Sequence, residues 1–288
     1  MTDFLQRRQL GSTGLEVSRL GIGSSFGAPA RVIEEAFHRG VNYLYWGTIR
    51  RAAFGRAIRN LAKSHRDELV LTVQSYSRVP RLMVPSVELA LRRARVEYFD
   101  FLLLGARNEI PSDDYIEVFE RLREQGKVRF LALSSHNRPL LPGLLKAYAE
   151  GRSPYEFLML RYNAVHRGAE TDVFPFIPDP PRPGIIAYTA TRWGHLVDPK
   201  KMPPGQDPVA ARDCYRFALS HPGVDMVLCG PANAEEMNQA LSALESGPLD
   251  DEERKRIESI GDWVYGKFRP QFSDAGDANT QPKRSAHG

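Results

Sequence analysis

The stretch of sequence that decides the fold runs from Gly40 to Arg51 and reads GVNYLYWGTIRR. Residues 43–46 favour a β-strand, because they are aromatic or aliphatic and glycines bound them on both sides. Beyond the loop, apolar residues recur at the spacing of a helix: Phe54, Ala57, Ile58 and Leu61. A short strand that passes through a small loop into a helix is the unit of a parallel α/β barrel, and such loops carry the chemistry of many barrel enzymes.

The same unit recurs along the chain. Strand-like segments lie at residues 20–23, 43–46, 69–74, 99–104, 128–134, 157–162, 184–188 and 224–229. Further helix-like segments lie at residues 30–38, 86–96, 113–125, 139–150, 208–220, 234–244 and 250–260. Eight strands in this order predict a (β/α)8 TIM barrel with right-handed crossovers. A doubly wound open sheet is the alternative, but no GxGxxG motif follows the first strand.

The two ends of the chain depart from this pattern. Residues 8–10 and 15–18 flank a turn with two glycines at 11–14, which predicts an N-terminal β-hairpin. Residues 273–288 are polar and lack apolar periodicity, so we expect a disordered tail. No linker divides the rest, and residues 1–272 are predicted to form a single TIM-barrel domain.

The composition excludes several classes of protein. The 39 Lys and Arg residues against 35 Asp and Glu residues leave a net charge of +4, too small for nucleic-acid binding without a focused basic patch. No run approaches the ~18 apolar residues of a membrane span, and residues 1–20 lack the apolar core of a signal peptide. The two cysteines, Cys214 and Cys229, show no CxxC spacing, so we expect no metal site and a cytoplasmic location.

In a parallel barrel, the residues at the carboxyl ends of the strands form the active site. Here these ends hold Ser24, Tyr45, Trp46, Gln74, Ser75, Tyr76, Gly105, Ser134, Ser135, His136, Arg161, Tyr162, Asn163, Tyr188, Thr189, Cys229 and Gly230. Arg161 is expected to point into the pocket. Four more arginines lie on loops of the same face: Arg50, Arg51, Arg107 and Arg192. If two of the five converge, the mouth would clamp a carboxylate or phosphate; the alternative is that they fan out into solvent.

Two stretches of the sequence resemble a known family. Residues 8–21, which read RQLGSTGLEVSRLG, resemble the opening of aldo/keto reductases, and residues 42–45 resemble the second barrel strand of that family. The resemblance extends over about residues 8–245. It implies an aldo/keto reductase type of TIM barrel and an oxidoreductase that uses NADP(H).

The resemblance does not extend to the family's catalytic residues. Aldo/keto reductases use an Asp-Tyr-Lys-His tetrad, in which the Tyr gives a proton to the carbonyl and the Lys–Asp pair lowers its pKa. In this sequence the Asp, Lys and His positions hold Tyr45, Gln74 and Gly105, and the Tyr position is lost or is Arg50. We therefore take Tyr45 and Tyr76 as candidate proton donors. The candidate substrate-binding or anion-binding residues are Trp46, Arg50 and Arg161.

The cofactor positions are better matched. Ser134 and Ser135 resemble the Ser-Asn pair that holds the nicotinamide amide, with Ser135 replacing the Asn. Residues 187–189 resemble the Ala-Tyr-Ser element, which implies that Tyr188 stacks on the nicotinamide ring and that Thr189 meets the pyrophosphate. Residues 228–236 resemble the loop and helix start at the adenosine end, where the candidates are Gly230 and Asn233.

Two functions are compatible with these residues. The first is an aldo/keto reductase-like oxidoreductase with NADP(H) and a non-standard active site. The second is a catalytically inactive barrel that binds a nucleotide or another anionic ligand in a regulatory role. In both cases we expect a small-molecule ligand, and neither nucleic acid nor a membrane, as the partner. The sequence carries no indication of the oligomeric state.

Overall fold

Eight parallel strands close into a barrel in the computed structural model, which describes residues 3–268. The strands are β3 (Leu20–Gly23), β4 (Tyr43–Trp46), β5 (Val70–Ser75), β6 (Phe99–Leu104), β7 (Val128–Ser135), β8 (Tyr155–Arg161), β9 (Gly184–Tyr188) and β10 (Met226–Cys229). They pair in sequence order, and β10 closes the ring between β9 and β3. The predicted TIM barrel is confirmed. The predicted hairpin is confirmed by β1 (Arg8–Gln9) and β2 (Glu16–Val17), which pair antiparallel.

Helices surround the barrel. They are α1 (Ala30–His38), α2 (Ala52–His65), α3 (Met83–Ala94), α4 (Asp113–Glu124), α5 (Leu141–Ala149), α6 (Ala169–Asp172), α7 (Ala211–Leu219), α8 (Ala234–Ser246) and α9 (Asp251–Lys267). The helix predicted from Pro208 begins three residues later, because the Val209 amide donates to Leu196 in the preceding loop. None of the helices among residues 3–268 is long and apolar enough to cross a membrane. The tail predicted at 273–288 lies outside the described residues.

Strict alternation along each strand separates two cores. In β4, Leu44 and Trp46 pack into the layer between the barrel and the helices, whereas Tyr43 and Tyr45 face the barrel interior. Tyr43 fills that interior, where its hydroxyl accepts a hydrogen bond from Thr72 at 2.8 Å. A Cβ atom at Gly21 would lie 2.7 Å from the Tyr43 ring, so only glycine fits at that position. The interior below the mouth is therefore packed with side chains, as is usual for this fold.

A buried aspartate fixes the opposite, N-terminal end of the barrel. Asp100 is 1% exposed and accepts a hydrogen bond from the Leu71 amide at 2.9 Å. Its two carboxylate oxygens pair with Arg66 at 3.1 Å and with Arg129 at 2.9 Å. These bonds link β5, β6 and β7 on the side away from the candidate site. We assign this end of the barrel to stability.

Candidate active site

The last inward side chains of five strands form the wall of the mouth at the carboxyl end of the barrel. These side chains are Tyr45, Gln74, Ser134, Arg161 and Tyr188. Gly105 follows β6 at the same end and lies beside Gln74. The expectation that Tyr45, Gln74 and Gly105 would meet at one end of a closed barrel is confirmed.

Tyr45 and Tyr76 form one side of the mouth. The Tyr45 ring lies over Gly47, where a Cβ atom would approach its hydroxyl to 3.0 Å. Its hydroxyl shares a side-chain hydrogen bond with Tyr76, whose ring is 59% exposed. Burial, followed by the neighbouring Tyr76, raises the pKa of Tyr45 well above the usual tyrosine value of about 10. Tyr45 is therefore a weak acid in the position where we expected a proton donor.

Gln74 occupies the space that a side chain at Gly105 would need. A Cβ atom at Gly105 would overlap the Gln74 amide, so the two residues fit each other. Gln74 is 8% exposed, and its Oε1 atom has no hydrogen-bond partner among residues 3–268. A buried acceptor of this kind is costly unless a donor reaches it. Within this part of the chain, Gln74 therefore carries an unpaired, buried acceptor at the wall of the mouth.

His136, Arg161 and Tyr188 form the other side of the mouth. The Tyr188 hydroxyl lies 2.9 Å from Nδ1 and 3.1 Å from Nε2 of His136, and the two rings meet edge to face. Burial lowers the pKa of His136, and the positive charge of Arg161 lowers it further. Burial raises the pKa of Tyr188, which Arg161 opposes. The predicted site residues Arg161 and Tyr188 are thus brought together.

The sequence places His136 at a strand end but does not single it out as a site residue. The signal in the sequence is its position directly after β7, near the ends of β8 and β9, which hold the candidate ligand-binding residues Arg161 and Tyr188. The structure adds the hydrogen bond that joins it to Tyr188.

Trp46 is not part of the mouth. Its side chain is 1% exposed and points outward from β4, and its indole Nε1 donates to the Arg51 carbonyl at 3.3 Å. The ring packs against Gly55 in α2, where a Cβ atom would lie 2.6 Å away. Because strand side chains alternate, the inward Tyr45 forces Trp46 to the outer core. We remove Trp46 from the candidate ligand-binding residues.

Three of the five arginines donate hydrogen bonds to carbonyl groups of neighbouring loops. Arg51 donates to the Ser25 carbonyl at 2.6 Å, Arg107 to the Ser77 carbonyl at 2.6 Å, and Arg192 to the Phe268 carbonyl at 3.0 Å. Arg50 is exposed on the loop after β4. Of the five, Arg161 alone stands at an inward strand end. Arg161 and Arg192 approach one ring, since the guanidinium of each lies 5.7 Å from the ring of Trp193.

The two serines of β7 face opposite sides of the sheet. Ser134 points inward, and its hydroxyl oxygen accepts a hydrogen bond from the Ala106 amide at 2.9 Å. Ser135 is 1% exposed and accepts from the Asn137 amide at 2.9 Å, which closes the turn after the strand. Only Ser134 is brought to the wall of the mouth.

The loop after β9 contains unusual backbone conformations. Thr189, Arg192 and Trp193 have φ values of +58°, +55° and +52°. A left-handed backbone is rare for residues other than glycine, above all for a β-branched residue such as Thr189. The loop holds the Trp193 ring 5.7 Å from the Arg161 guanidinium, over the mouth. Strain of this kind is often kept where a loop must hold a functional shape.

Side chains at the start of α8 accept hydrogen bonds from the backbone N–H groups at this end of the helix. Asn233 caps the helix by accepting from the Glu236 amide at 2.9 Å. The Glu236 carboxylate turns back and accepts from the Ala232 amide at 2.8 Å and from the Asn233 side chain at 3.1 Å. Gly230 packs closely against Phe26, since a Cβ atom there would lie 2.8 Å from the ring. The Glu236 carboxylate sets a negative charge where a phosphate would bind.

The comparisons with known proteins agree with this geometry. No family model matches the sequence. L-galactose dehydrogenase from Arabidopsis thaliana is 23% identical over 89% of this chain and 94% of its own length. The uncharacterized oxidoreductase YqkF from Bacillus subtilis is 21% identical over 88% of this chain and 96% of its own length.

Solved structures share the fold of this chain. The aldo-keto reductase AKR11C1 from Bacillus halodurans matches in its holo form with a TM-score of 0.72, at 23% identity over 88% of this chain and 96% of that chain. Its apo form matches with a TM-score of 0.69 at 24% identity. The resemblance to aldo/keto reductases that the sequence predicts is confirmed by these comparisons.

Proposed function

We propose that the chain is an aldo/keto reductase-like oxidoreductase that binds a nicotinamide dinucleotide across the mouth and acts on a small carbonyl compound or alcohol. The observation that carries the proposal is the placement of Ser134 and Tyr188. Both stand at inward strand ends, where the family resemblance assigns the nicotinamide. The likeness to two oxidoreductases over nearly the whole chain supports it.

The residues fit the nicotinamide end of such a cofactor better than its adenosine end. The nicotinamide end would be held by Ser134 and the Tyr188 ring, and the adenosine end would lie by Gly230 and Phe26. A nicotinamide cofactor, when bound, supplies or accepts the hydride. The chain's own residues hold the substrate: Gln74 accepts a hydrogen bond, and Arg161 provides positive charge. Tyr45 and Tyr76 form the wall opposite His136.

Cofactor binding is the direct test of the proposal. Trp193 lies over the mouth and is 38% exposed, so its fluorescence should change when NADH or NADPH binds. The change should be lost in Trp193→Phe, because the other two tryptophans, Trp46 and Trp263, lie in the outer core or pack against it. The proposal fails if neither cofactor binds and no carbonyl compound of a broad panel is reduced.

We expect NADH to bind more tightly than NADPH. The Glu236 carboxylate occupies the start of α8, where the resemblance implies a 2′-phosphate, and two anions at this helix end repel each other. This argues for NAD(H) in place of the NADP(H) that the resemblance implies. Glu236→Gln should tighten NADPH binding by about two- to fivefold, as expected for 0.3–1 kcal/mol at a helix terminus. NADH binding should stay unchanged.

Glu235→Gln is the matched control for this prediction. Glu235 carries the same charge in the same exposed turn, whereas it is the Glu236 carboxylate that folds back onto Ala232 and Asn233. If both variants gain the same affinity for NADPH, general charge and not the position of Glu236 decides the preference.

A second candidate function is that of a non-catalytic barrel that binds a small anion. The observation that favours it is the neutral character of Tyr45, Gln74 and Gly105 beside the buried, cationic Arg161. Arg161→Met should weaken binding of a small anion by about 10- to 100-fold, in line with the 1.5–3 kcal/mol of a charged hydrogen bond. Arg50→Met is the matched control, since an exposed arginine contributes little.

The anion prediction is measured by calorimetry with acetate, glyoxylate, inorganic phosphate and NADH as probes. The affinity should fall with added salt. Equal affinities in the wild type and both variants would reject an anion pocket at Arg161.

A further inference from the structure

We propose that His136 is the residue that gives a proton to the substrate oxygen during reduction and takes it back during oxidation, and that Tyr188 positions its ring. This inference rests on the proposed oxidoreductase function. It assigns a role to a side chain that the family resemblance does not use.

The geometry of the pair carries the inference. Because the Tyr188 hydroxyl lies 2.9 Å and 3.1 Å from the two ring nitrogens, it sits over the face of the His136 ring and not in its plane. From there it lies off the in-plane direction along which each ring nitrogen donates or accepts a good hydrogen bond. The in-plane direction of a nitrogen is left for a second partner. His136 is only half-buried, whereas Tyr188 extends inward from β9, so such a nitrogen can meet a group that enters the mouth.

Charged and titratable groups face His136 from two neighbouring strands. Arg161 comes from the end of β8 and Tyr188 from the end of β9, with Tyr76 beyond Tyr188. On its own connection, Arg138 is engaged by Asp172 at 3.0 Å. Arg161 disfavours the protonated imidazole, which makes the imidazolium a stronger acid.

The proton step balances with this residue alone. As the carbonyl carbon is reduced by hydride, the C=O π electrons move to the oxygen. The oxygen takes the proton from His136: one O–H bond forms, one N–H bond breaks, and neutral imidazole remains. Solvent at the half-exposed ring returns the proton before the next turnover. Alcohol oxidation runs the same step in reverse, with neutral His136 as the base.

The pH dependence follows from the direction of the pKa shift. The pKa of His136 lies below its usual value of about 6.5, because burial and Arg161 both disfavour the charged ring. Carbonyl reduction needs the imidazolium, so its rate should fall as pH rises through that pKa. Alcohol oxidation needs the neutral ring and should rise over the same interval.

The first experiment is a histidine NMR titration of the full chain without ligand. His136→Gln identifies the resonance among the seven histidines. The wild-type midpoint should lie below about 6.5, and Arg161→Met should raise it. Arg81→Met, an exposed arginine of the same face, should leave it in place. A wild-type midpoint at or above the usual value, or equal shifts in both variants, overturns the inference.

The second experiment measures kcat against pH with a carbonyl compound that the wild type reduces. His136→Gln should lower kcat by about 100-fold at low pH and flatten the profile, and added imidazole should restore part of the rate. Tyr188→Phe removes the hydroxyl that positions His136, so kcat should fall. It keeps the ring, so the KM for the cofactor should stay the same. An unchanged profile in His136→Gln overturns the inference and leaves the oxidoreductase proposal standing. A wild type that reduces no carbonyl compound overturns both.

Discussion

At pH 8 the protein is expected to reduce simple aldehydes slowly, about 10²- to 10⁴-fold below the usual enzyme turnover of about 10 s⁻¹. The reason is the protonation state of the mouth. Burial raises the pKa values of Tyr45 and Tyr188, so both hydroxyls are weak acids. The pKa of His136 is lowered, so its ring is neutral at this pH. The rate loss is that expected when no acid is poised to protonate the carbonyl oxygen.

The measurement follows the oxidation of NADH and NADPH in the presence of propanal or benzaldehyde. A preparation that is folded and binds cofactor serves as its own control, because a slow rate then reflects chemistry and not a damaged protein. The same assay at pH 5.5 should be faster, since more of His136 is protonated. A turnover near 10 s⁻¹ at pH 8 would contradict a mouth that holds no poised acid.

The barrel could be predicted because its signal is local and repeated. Each strand is a short apolar run, and every run except the sixth is followed by a helix-like segment, so errors of a few residues do not alter the topology. The face of a side chain is harder to predict. Tyr45 and Trp46 are adjacent in sequence, and a shift of one residue exchanges which of them enters the mouth. Pairing of β4 with β5 settles this and places Trp46 in the outer core.

The directions of the arginines could not be predicted for a different reason. Their partners are carbonyl groups of loops far away in the sequence: Arg51 reaches Ser25, and Arg192 reaches Phe268. A sequence shows that these loops share one face, but not which carbonyl lies within reach. The Glu236 contacts are the opposite case. Asn233 and Glu236 have the spacing of a capping box, so the folded-back carboxylate could have been inferred from the sequence.

Asp100 should be among the most sensitive positions for stability, although it lies at the end of the barrel away from the mouth. Asp100→Ala removes the acceptor of the Leu71 amide and leaves Arg66 and Arg129 without their shared carboxylate. Loss of one partner of a buried ion pair costs about 3–5 kcal/mol of the free energy of unfolding. Since Arg129 is 43% exposed and can regain water, we expect the lower part of that range. Asp100→Asn keeps one acceptor for Leu71 and should fall between the wild type and the alanine variant.

Asp262→Ala is the matched control, because Asp262 also pairs with an arginine, Arg167 at 2.7 Å, but is 66% exposed. Its loss should cost less than about 1 kcal/mol. Urea unfolding of the three variants measures these differences. Below the unfolding transition, the Asp100 variants should still bind NADH with unchanged affinity, since the carboxylate touches no residue of the mouth. If Asp100→Ala is as stable as Asp262→Ala, or if it loses cofactor binding while folded, the division into a stabilising end and a functional end is wrong.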